Sequence, residues 1–232
     1  LEPSLGAARA GLSVPDDLSV DNQRLMAALL AAGRQAGVTA SAQSVTVVRS
    51  GAIECADGST LTGEAVVIAA GAWSGRLHPE LAGVIRPVKG EILRLRARPG
   101  SLPPPRHTVR GIAEGRHVYL VPRDDGGLVV GATQYEAGFD ETPRVAGVRD
   151  LLAGAELLMP GIADYGLEAC DAGLRPGSPD NLPVVGWLEP GVLAATGHGR
   201  NGMLLAPITA DAVLDLLDGK PLSGPLARRR GV

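Results

Sequence analysis

The sequence predicts an α/β domain interrupted by an antiparallel β domain, and three observations carry the prediction. Toward each end a continuous apolar run, "AVVIAAG" (65–71) and "GVLAAT" (191–196), has the character of a strand buried on both faces. Each leads into a turn and a helical or looped segment. Between them, from about residue 84, apolar and charged residues alternate, as in "EILRLRAR" (91–98), which marks a strand with one wet face. The chain therefore leaves one domain, builds a second and returns. Residues 14–80 and 181–232 are assigned to the first and 81–180 to the second, with 1–13 also contributing to the second.

Each element has its own signal. "SVDNQRLMAALLAAGRQAG" (19–37) spaces Leu25, Leu29 and Leu30, with Met26 beside them, as a helix does. Asp21 is its N-cap candidate, with Ser19 competing, and Gly37 its stop. "VTVV" (45–48) reads as a strand, and "AIECADGSTLTG" (52–63) as a hairpin turning at "ADGS". "AWSGRL" (72–77) is a short helical or looped piece after the first buried strand. "RHVYLVP" (116–122) and "GLVVGAT" (127–133) are strands joined at "RDDGG". "RVAGVRDLLAGAELLMPGI" (144–162) is an amphipathic helix stopped by Pro160 and Gly161. "LEACDAGLRP" (167–176) is a strand with the loop "GSPDNLP" after it. "LLAPITADAVLDLLDGK" (204–220) is a helix ended by Gly219.

Composition removes several classes of function. Of the 232 residues 45% are apolar and 20% charged, which suits a globular chain with a core. The net charge of −3 gives no electrostatic case for nucleic acid, and an aromatic content of 3% argues against base stacking. "LARRR" (226–230) is read as a short solvated basic tail. No apolar run reaches the length of a membrane span, and the first residues do not read as a signal peptide. Cys55 and Cys170 make neither a zinc spacing nor a CxxC pair, so both are read as buried thiols in a reducing compartment, the cytoplasm. His78, His107, His117 and His198 form no metal pattern.

"TGHGRNGM" (196–203) raises the functional question: a glycine-laced turn with a cation, between a buried strand and a helix. A helix start presents free N–H groups and partial positive charge, and glycines let a ligand approach the backbone. Such a turn suits an anionic or carbonyl-bearing ligand.

Five stretches in order, "VVIAAGAWSGRL", "PVKGEILRL", "HVYLVPRDDGGLVVGAT", "AGLRPGSPDNLPVVG" and "TGHGRNGMLLAP", resemble the FAD-dependent amine oxidases of the D-amino-acid oxidase superfamily, within it most closely the glycine oxidases of thiamine biosynthesis. The resemblance covers nearly the whole chain and implies a Rossmann-like FAD domain interrupted by an antiparallel substrate domain. Family members open with a strand, a GxGxxG turn and a helix that hold the FAD pyrophosphate. No GxGxxG is expected anywhere in this chain, and its first residues match a point well inside a full-length member, so the resemblance implies the C-terminal two-thirds of such an enzyme, an incomplete Rossmann-like domain and a missing fingerprint.

The same resemblance implies site residues. Arg175 matches the carboxylate-binding arginine, and a planar guanidinium suits a carboxylate in two hydrogen bonds. Tyr119 matches a tyrosine whose hydroxyl donates to that carboxylate. His117, two residues away and on the same strand face, matches a pocket histidine. Arg200 matches a residue that reaches the substrate region. His198, Gly199, Arg200, Asn201, Gly202, Met203 and Leu204 match flavin contacts, mostly through backbone. Gly199 departs from the family, which often carries a bulkier residue there. Val45 matches a contact to the adenine end of FAD, and Gly71 the turn that closes near the cofactor, with Trp73 packing there. Cys170 and Met159 are read as core. No residue is assigned as acid or base, because hydride transfer needs only a neutral amine, and no metal is implied.

The implied activity is oxidation of a small amino acid (glycine, sarcosine or a D-amino acid) by O2 to an imine, then an oxo acid, with release of H2O2. Two alternatives stand beside it: a non-catalytic remnant or fragment that does not hold FAD alone, and a dehydrogenase using another electron acceptor. Family relatives imply a homo-oligomer, a tetramer; a separately supplied N-terminal segment is the other partner expected.

Overall fold

The computed structural model describes residues 2–228. Arg229 and Arg230 of the basic tail lie outside the described residues. Contacts divide the chain into two compact units, one of residues 1–32, 89–135 and 140–173, the other of residues 33–88, 136–139 and 174–232.

The first unit is built on an antiparallel meander. Strands β5 (Arg86–Arg96), β6 (Val109–Ala113), β7 (Arg116–Pro122), β8 (Gly127–Gly131) and β9 (Gly166–Gly177) form one sheet in the order β6-β7-β8-β5-β9. β6 and β7 turn at Glu114 and Gly115, both at positive φ, and β7 and β8 turn at Gly126, φ 82°. One face is apolar by strict alternation: Leu93 and Leu95, Val118 and Leu120, Leu128 and Val130 are all buried. Helix α2 (Val145–Leu158) covers that face with Leu151 and Ala155, followed by Met159, Ile162 and Tyr165. The helix lies close because two positions have no side chain: a Cβ on Gly154 would fall 2.5 Å from Val118, and one on Gly111 2.5 Å from Leu158.

Helix α1 (Asn22–Gln35) starts as expected, with Asp21 Oδ1 accepting from the N–H groups of Gln23 (3.0 Å) and Arg24 (3.1 Å). Gly37 ends it at φ 85°. Its apolar residues are not buried. Residues 14–32, assigned from sequence to the first predicted domain, group instead with the meander. Two ion pairs link this segment to the meander: Asp17 to Arg110 (3.2 Å) and Asp21 to Arg123 (3.9 Å).

The second unit holds two small sheets. β1 (Val45–Arg49), β2 (Ala52–Cys55) and β3 (Thr60–Thr62) form an antiparallel sheet in that order. β4 (Val66–Ile68), β10 (Val184–Glu189) and β11 (Val192–Thr196) form the other, ordered β10-β11-β4, with β11 parallel to β4. β11 is buried on both faces. Val192 and Ala194 pack with Ile68, Leu81 and Ile85, while Leu193 packs with Ala212 and Leu216 of helix α3 (Gly202–Leu217). β4 departs from the reading of a strand buried on both faces: it is an edge strand among the described residues, and Val67 is exposed.

Two strands carried no sequence expectation, β6 and β10. Cys170 is half-buried against the meander core rather than fully buried, Cys55 is buried, and both are free thiols. No helix among the described residues is long and apolar enough to cross a membrane.

Candidate active site

The second unit builds a helix start at the end of its central parallel-paired strand. β11 ends at Thr196, and residues 197–201 turn the chain into α3. Gly197 (φ 79°) and Gly199 (φ 53°) both take left-handed backbone, so side chains there would strain the turn. The Gly199–Asn201 segment is a 3-10 turn closed by Asn201 N–H donating to the His198 carbonyl (3.0 Å). Asn201 precedes α3 at φ −98°, ψ 12°, which is not the extended geometry of a capping residue, and its side chain makes no cap hydrogen bond. No acidic residue lies in the first turn. The first N–H groups of α3 therefore have no side-chain acceptor, and the helix dipole places positive potential there.

The run from Gly197 to Gly202 has the spacing G-x-G-x-x-G after a strand and before a helix. The fingerprint expected to be missing is thus present as a spacing, at the other end of the chain. Its physics is only partly that of the dinucleotide motif. Gly197 and Gly199 serve the turn, but a Cβ on Gly202 would meet only His198 Cβ at 3.8 Å, ordinary contact, so no tight helix–strand packing demands that third glycine.

Two buried side-chain contacts fix this turn. Ser74 Oγ donates to Thr196 Oγ1 (2.9 Å), and Thr196 Oγ1 donates to the Gly71 carbonyl (3.2 Å). Both hydroxyls are buried, so the 3-10 segment Gly71–Arg76 is tied to the end of β11. His198 Nε2 lies 2.9 Å from Thr209 Oγ1, one hydroxyl on the buried face of α3. Burial pulls the His198 pKa below its ordinary 6.5. Arg200, Asn201, Met203 and Leu204 are exposed around the helix start, Leu204 at 78%. Trp73 packs on Phe139, ring centroids 5.7 Å apart, and the Arg76 guanidinium lies 3.5 Å over the same Phe139 ring. Val45 lies on the other sheet of this unit, half-buried opposite Cys55, next to a bulge in β1. Arg175 is half-buried within β9, which ends at Gly177.

In the first unit Tyr119 and His117 project from β7 on the face opposite the α2 core, since Val118 and Leu120 take the core side. His117 is exposed opposite Ile112, and Tyr119 is half-buried between Arg110 of β6 and Gly131 of β8. A cleft of about 250 Å3 opens elsewhere on this unit, lined by Asp21, Arg24, Arg94, Arg96, Arg123 and Glu168. It holds none of the expected site residues. Its arginines are matched by carboxylates, Arg94 by Asp171 at 2.7 Å, Arg96 by Glu168 and Asp125, Arg123 by Asp21.

Sequence reasoning missed a buried polar knot in the first unit. Lys89 and Glu91 are both 0% exposed. Glu91 accepts from Tyr135 Oη (2.7 Å), the Arg144 N–H (2.7 Å) and Thr133 Oγ1 (2.9 Å). Lys89 Nζ donates to Asp140 Oδ2 (2.9 Å) and to the Thr142 carbonyl. Burial pushes the Glu91 carboxyl up, but these hydrogen bonds and the Lys89 charge outweigh it and hold the group below the usual range. Burial likewise lowers Lys89, and Asp140 outweighs it, so the net shift is upward. The Lys89 hydrogen bond and the Thr142 N–H bring Asp140 down to about 2. The signal was present in "KGE", two charges inside a strand.

Residues 1–216 match the profile of a family described as FAD dependent oxidoreductase. The chain belongs to that family. Among its relatives, a bifunctional protein ThiO/ThiG of Nostoc sp. (strain PCC 7120) is 37% identical over 93% of the chain, which covers 33% of that protein. A glycine oxidase of Bacillus licheniformis is 35% identical over 96% of the chain, which covers 61% of it. The crystal structure of glycine oxidase from Geobacillus kaustophilus superposes with a TM-score of 0.77 at 35% identity, over 90% of this chain and 58% of that one. This family member therefore spans about a third of the bifunctional relative and about three-fifths of the Bacillus licheniformis glycine oxidase. FAD is the cofactor of the family. The uncapped start of α3 and the left-handed glycines before it fit a cofactor with carbonyl and phosphate groups.

Proposed function

We propose that this chain carries the substrate-facing and flavin-facing part of an FAD-dependent amino-acid oxidase of the glycine-oxidase type. The observation that carries the reading is the uncapped, acid-free start of α3 at the end of β11, in a chain that matches the FAD-dependent family over residues 1–216. The substrate is a small amino acid: glycine, sarcosine or a D-amino acid. The overall change is amino acid plus O2 plus water to oxo acid, the amine (ammonia from a primary amino acid, methylamine from sarcosine) and H2O2, through an imine released with the peroxide. In the thiazole branch of thiamine biosynthesis the imine is the useful product. The assembled enzyme is proposed as a homo-oligomer in the cytoplasm.

Each residue then has a task. Arg175 holds the substrate carboxylate, because a buried carboxylate without a cation is costly. Tyr119 and His117 of the first unit, and Arg200 of the second, are each assigned to the substrate by the family resemblance. His198, Gly199, Arg200, Asn201, Gly202, Met203 and Leu204 line the flavin, Gly71 and the Ser74–Thr196 tie hold the neighbouring turn, and Val45 lies toward the adenine end. The chemistry FAD supplies when bound is acceptance of the electron pair from the amine-bearing carbon and its return to O2. Positive potential at the start of α3 favours the negative charge that accompanies that acceptance. No side chain of this chain is asked to remove a proton from carbon.

The experiment uses the full-length polypeptide loaded with FAD and assayed for peroxide with glycine, sarcosine and D-amino acids. Arg175→Ala is expected to lower kcat/KM by roughly two orders of magnitude, about 3 kcal/mol, mainly through KM. Unchanged constants would remove Arg175 from the site. A loaded protein that reduces a dye with an amino acid but makes no peroxide would be a dehydrogenase. A visible spectrum of the 232-residue chain after FAD addition and desalting is the companion measurement. A retained flavin band would show that its own contacts suffice, and a colourless chain would show that FAD needs polypeptide beyond it.

A further inference from the structure

Gly131, whose peptide bond to Ala132 is cis, occupies a position where a side chain would meet a close neighbour. It closes β8, buried between Tyr119 on β7 and Ile92 on β5, and its φ lies outside the left-handed region. The neighbour is the phenol of Tyr119. A Cβ on Gly131 would fall 2.3 Å from both Cζ and Oη of Tyr119 and 2.6 Å from Cε2. The close approach is thus to the hydroxyl end of the ring, the end that makes hydrogen bonds, and not to its root.

Resting on the reading of Tyr119 as a substrate-pocket residue, we propose that Gly131 is a positioning residue for the oxidation, its missing side chain setting where the Tyr119 hydroxyl stands above the sheet. The strands cannot separate to make room for a methyl group. β7 and β8 are paired from Tyr119↔Gly131 through Leu120↔Val130, Val121↔Val129 and Pro122↔Leu128. Leu120 and Val130, the pair next to Gly131, are fully buried in the α2 core. The ring is rigid and has only two torsions, so a side chain at 131 turns it to another rotamer and carries the hydroxyl away from its place. Gly127, at the opposite end of the same strand, shows the contrast. A Cβ there would come no closer than 3.0 Å, to Asp125 Oδ1, the end of an exposed side chain, with Arg123 Cβ at 3.3 Å.

The test is a cycle in the full-length holoenzyme: Gly131→Ala, Tyr119→Phe, Tyr119→Ala, and Gly131→Ala in the Tyr119→Ala background. Three readouts are taken: KM and kcat for glycine, the Kd of glycolate (a carboxylate without an amine) from its perturbation of the flavin spectrum, and the thermal midpoint. Loss of one hydrogen bond to a charged group corresponds to roughly a tenfold change. Gly131→Ala is expected to raise KM and the glycolate Kd by about as much as Tyr119→Phe, roughly tenfold, with little effect on kcat. It should lower the thermal midpoint when Tyr119 is present. In the Tyr119→Ala background it should change neither the constants nor the midpoint. A Gly131→Ala enzyme with parental KM and Kd overturns the proposal, and so does an equal loss in both backgrounds. If instead Tyr119→Phe and Tyr119→Ala themselves leave KM and Kd unchanged, the pocket role of Tyr119 has failed. The midpoints then still show whether the ring and Gly131 compete for the same space.

Discussion

The hydroxyls of Ser74 and Thr196 meet at 2.9 Å, 122 residues apart in the chain, and both are sealed from solvent. The contact joins the turn after β4 to the end of β11, the two places where the second unit's parallel strands deliver the chain to loops. A buried hydroxyl that loses its partner costs about 1–3 kcal/mol, whereas removing both partners is far milder. Thr196→Val leaves the Ser74 hydroxyl without its acceptor and the Gly71 carbonyl without this donor. It is expected to lower unfolding free energy by about 2 kcal/mol, with Ser74→Ala costing less and the double variant recovering part of the loss. Urea denaturation of the four proteins measures this. Simple additivity would mean that the two hydroxyls act independently.

How much of this arrangement is legible in the sequence depends on where its determinants lie. Asp21 and Gly37 fix the ends of α1 by local rules, and the structure follows them. The "RDDGG" turn, the stop at Pro160 and the buried character of β11 are equally local. β6 was hidden because its strand is short and begins beside a proline-rich turn, although Glu114-Gly115 marks its hairpin. β10 was hidden because its six residues include Gly186, although Pro190-Gly191 announces the turn that follows. Thr196 and Thr209 were not legible as positioning residues, since a hydroxyl gains that role only through a partner brought up from elsewhere in the fold. The Gly197–Gly202 spacing was in plain view and was absorbed into a different motif.

The knot around Glu91 predicts a large single-site effect and an acid limit. Glu91→Ala strands the Tyr135 hydroxyl, the Thr133 hydroxyl and the Arg144 N–H at the start of α2, and it leaves buried Lys89 with less compensation. Breaking such a buried charged network costs about 3–5 kcal/mol. The pH dependence has a definite sign. Glu91 and Asp140 both have folded-state pKa values below their ordinary 4.5 and 3.8. Their stabilisation is fully present above those ordinary values and is lost as pH falls, in Asp140's case through about 2. Thermal midpoints between pH 5 and 2 should therefore fall in the parent and fall less steeply in Asp140→Asn. Parallel curves would show that Asp140 is not part of the acid response.

His198 gives a second window. Burial holds its folded-state pKa below 6.5, so the unfolded chain takes up a proton first as pH falls. Stability from the neutral imidazole is fully present above 6.5 and erodes as pH drops toward the folded-state value. His198→Gln, which keeps a polar group facing Thr209, should flatten the pH dependence of unfolding just below 6.5. An NMR titration of the His198 ring in the parent should show a midpoint below 6.5; a midpoint at or above it would contradict the burial seen here.

The start of α3 sets stability against cofactor affinity. Its first N–H groups lack a side-chain acceptor, and Asn201 is held at a backbone geometry that does not favour capping. Asn201→Asp places a negative charge there without needing a cap hydrogen bond. Interaction with the helix dipole alone should raise stability by about 0.3–1 kcal/mol. If the proposed flavin placement holds, the same charge also occupies the positive potential that faces the flavin and repels the negative charge that accompanies its reduction. Asn201→Asp is thus expected to raise the thermal midpoint of the apoprotein while weakening FAD retention and making the bound flavin's reduction potential more negative. Thermal melts of the apoprotein, FAD titration and a dye-coupled potential measurement separate these effects. If the substitution stabilises the apoprotein and leaves FAD affinity and potential untouched, the helix start does not face the flavin. The N–H groups at the start of α3, which lack a side-chain acceptor, would then serve something other than the cofactor.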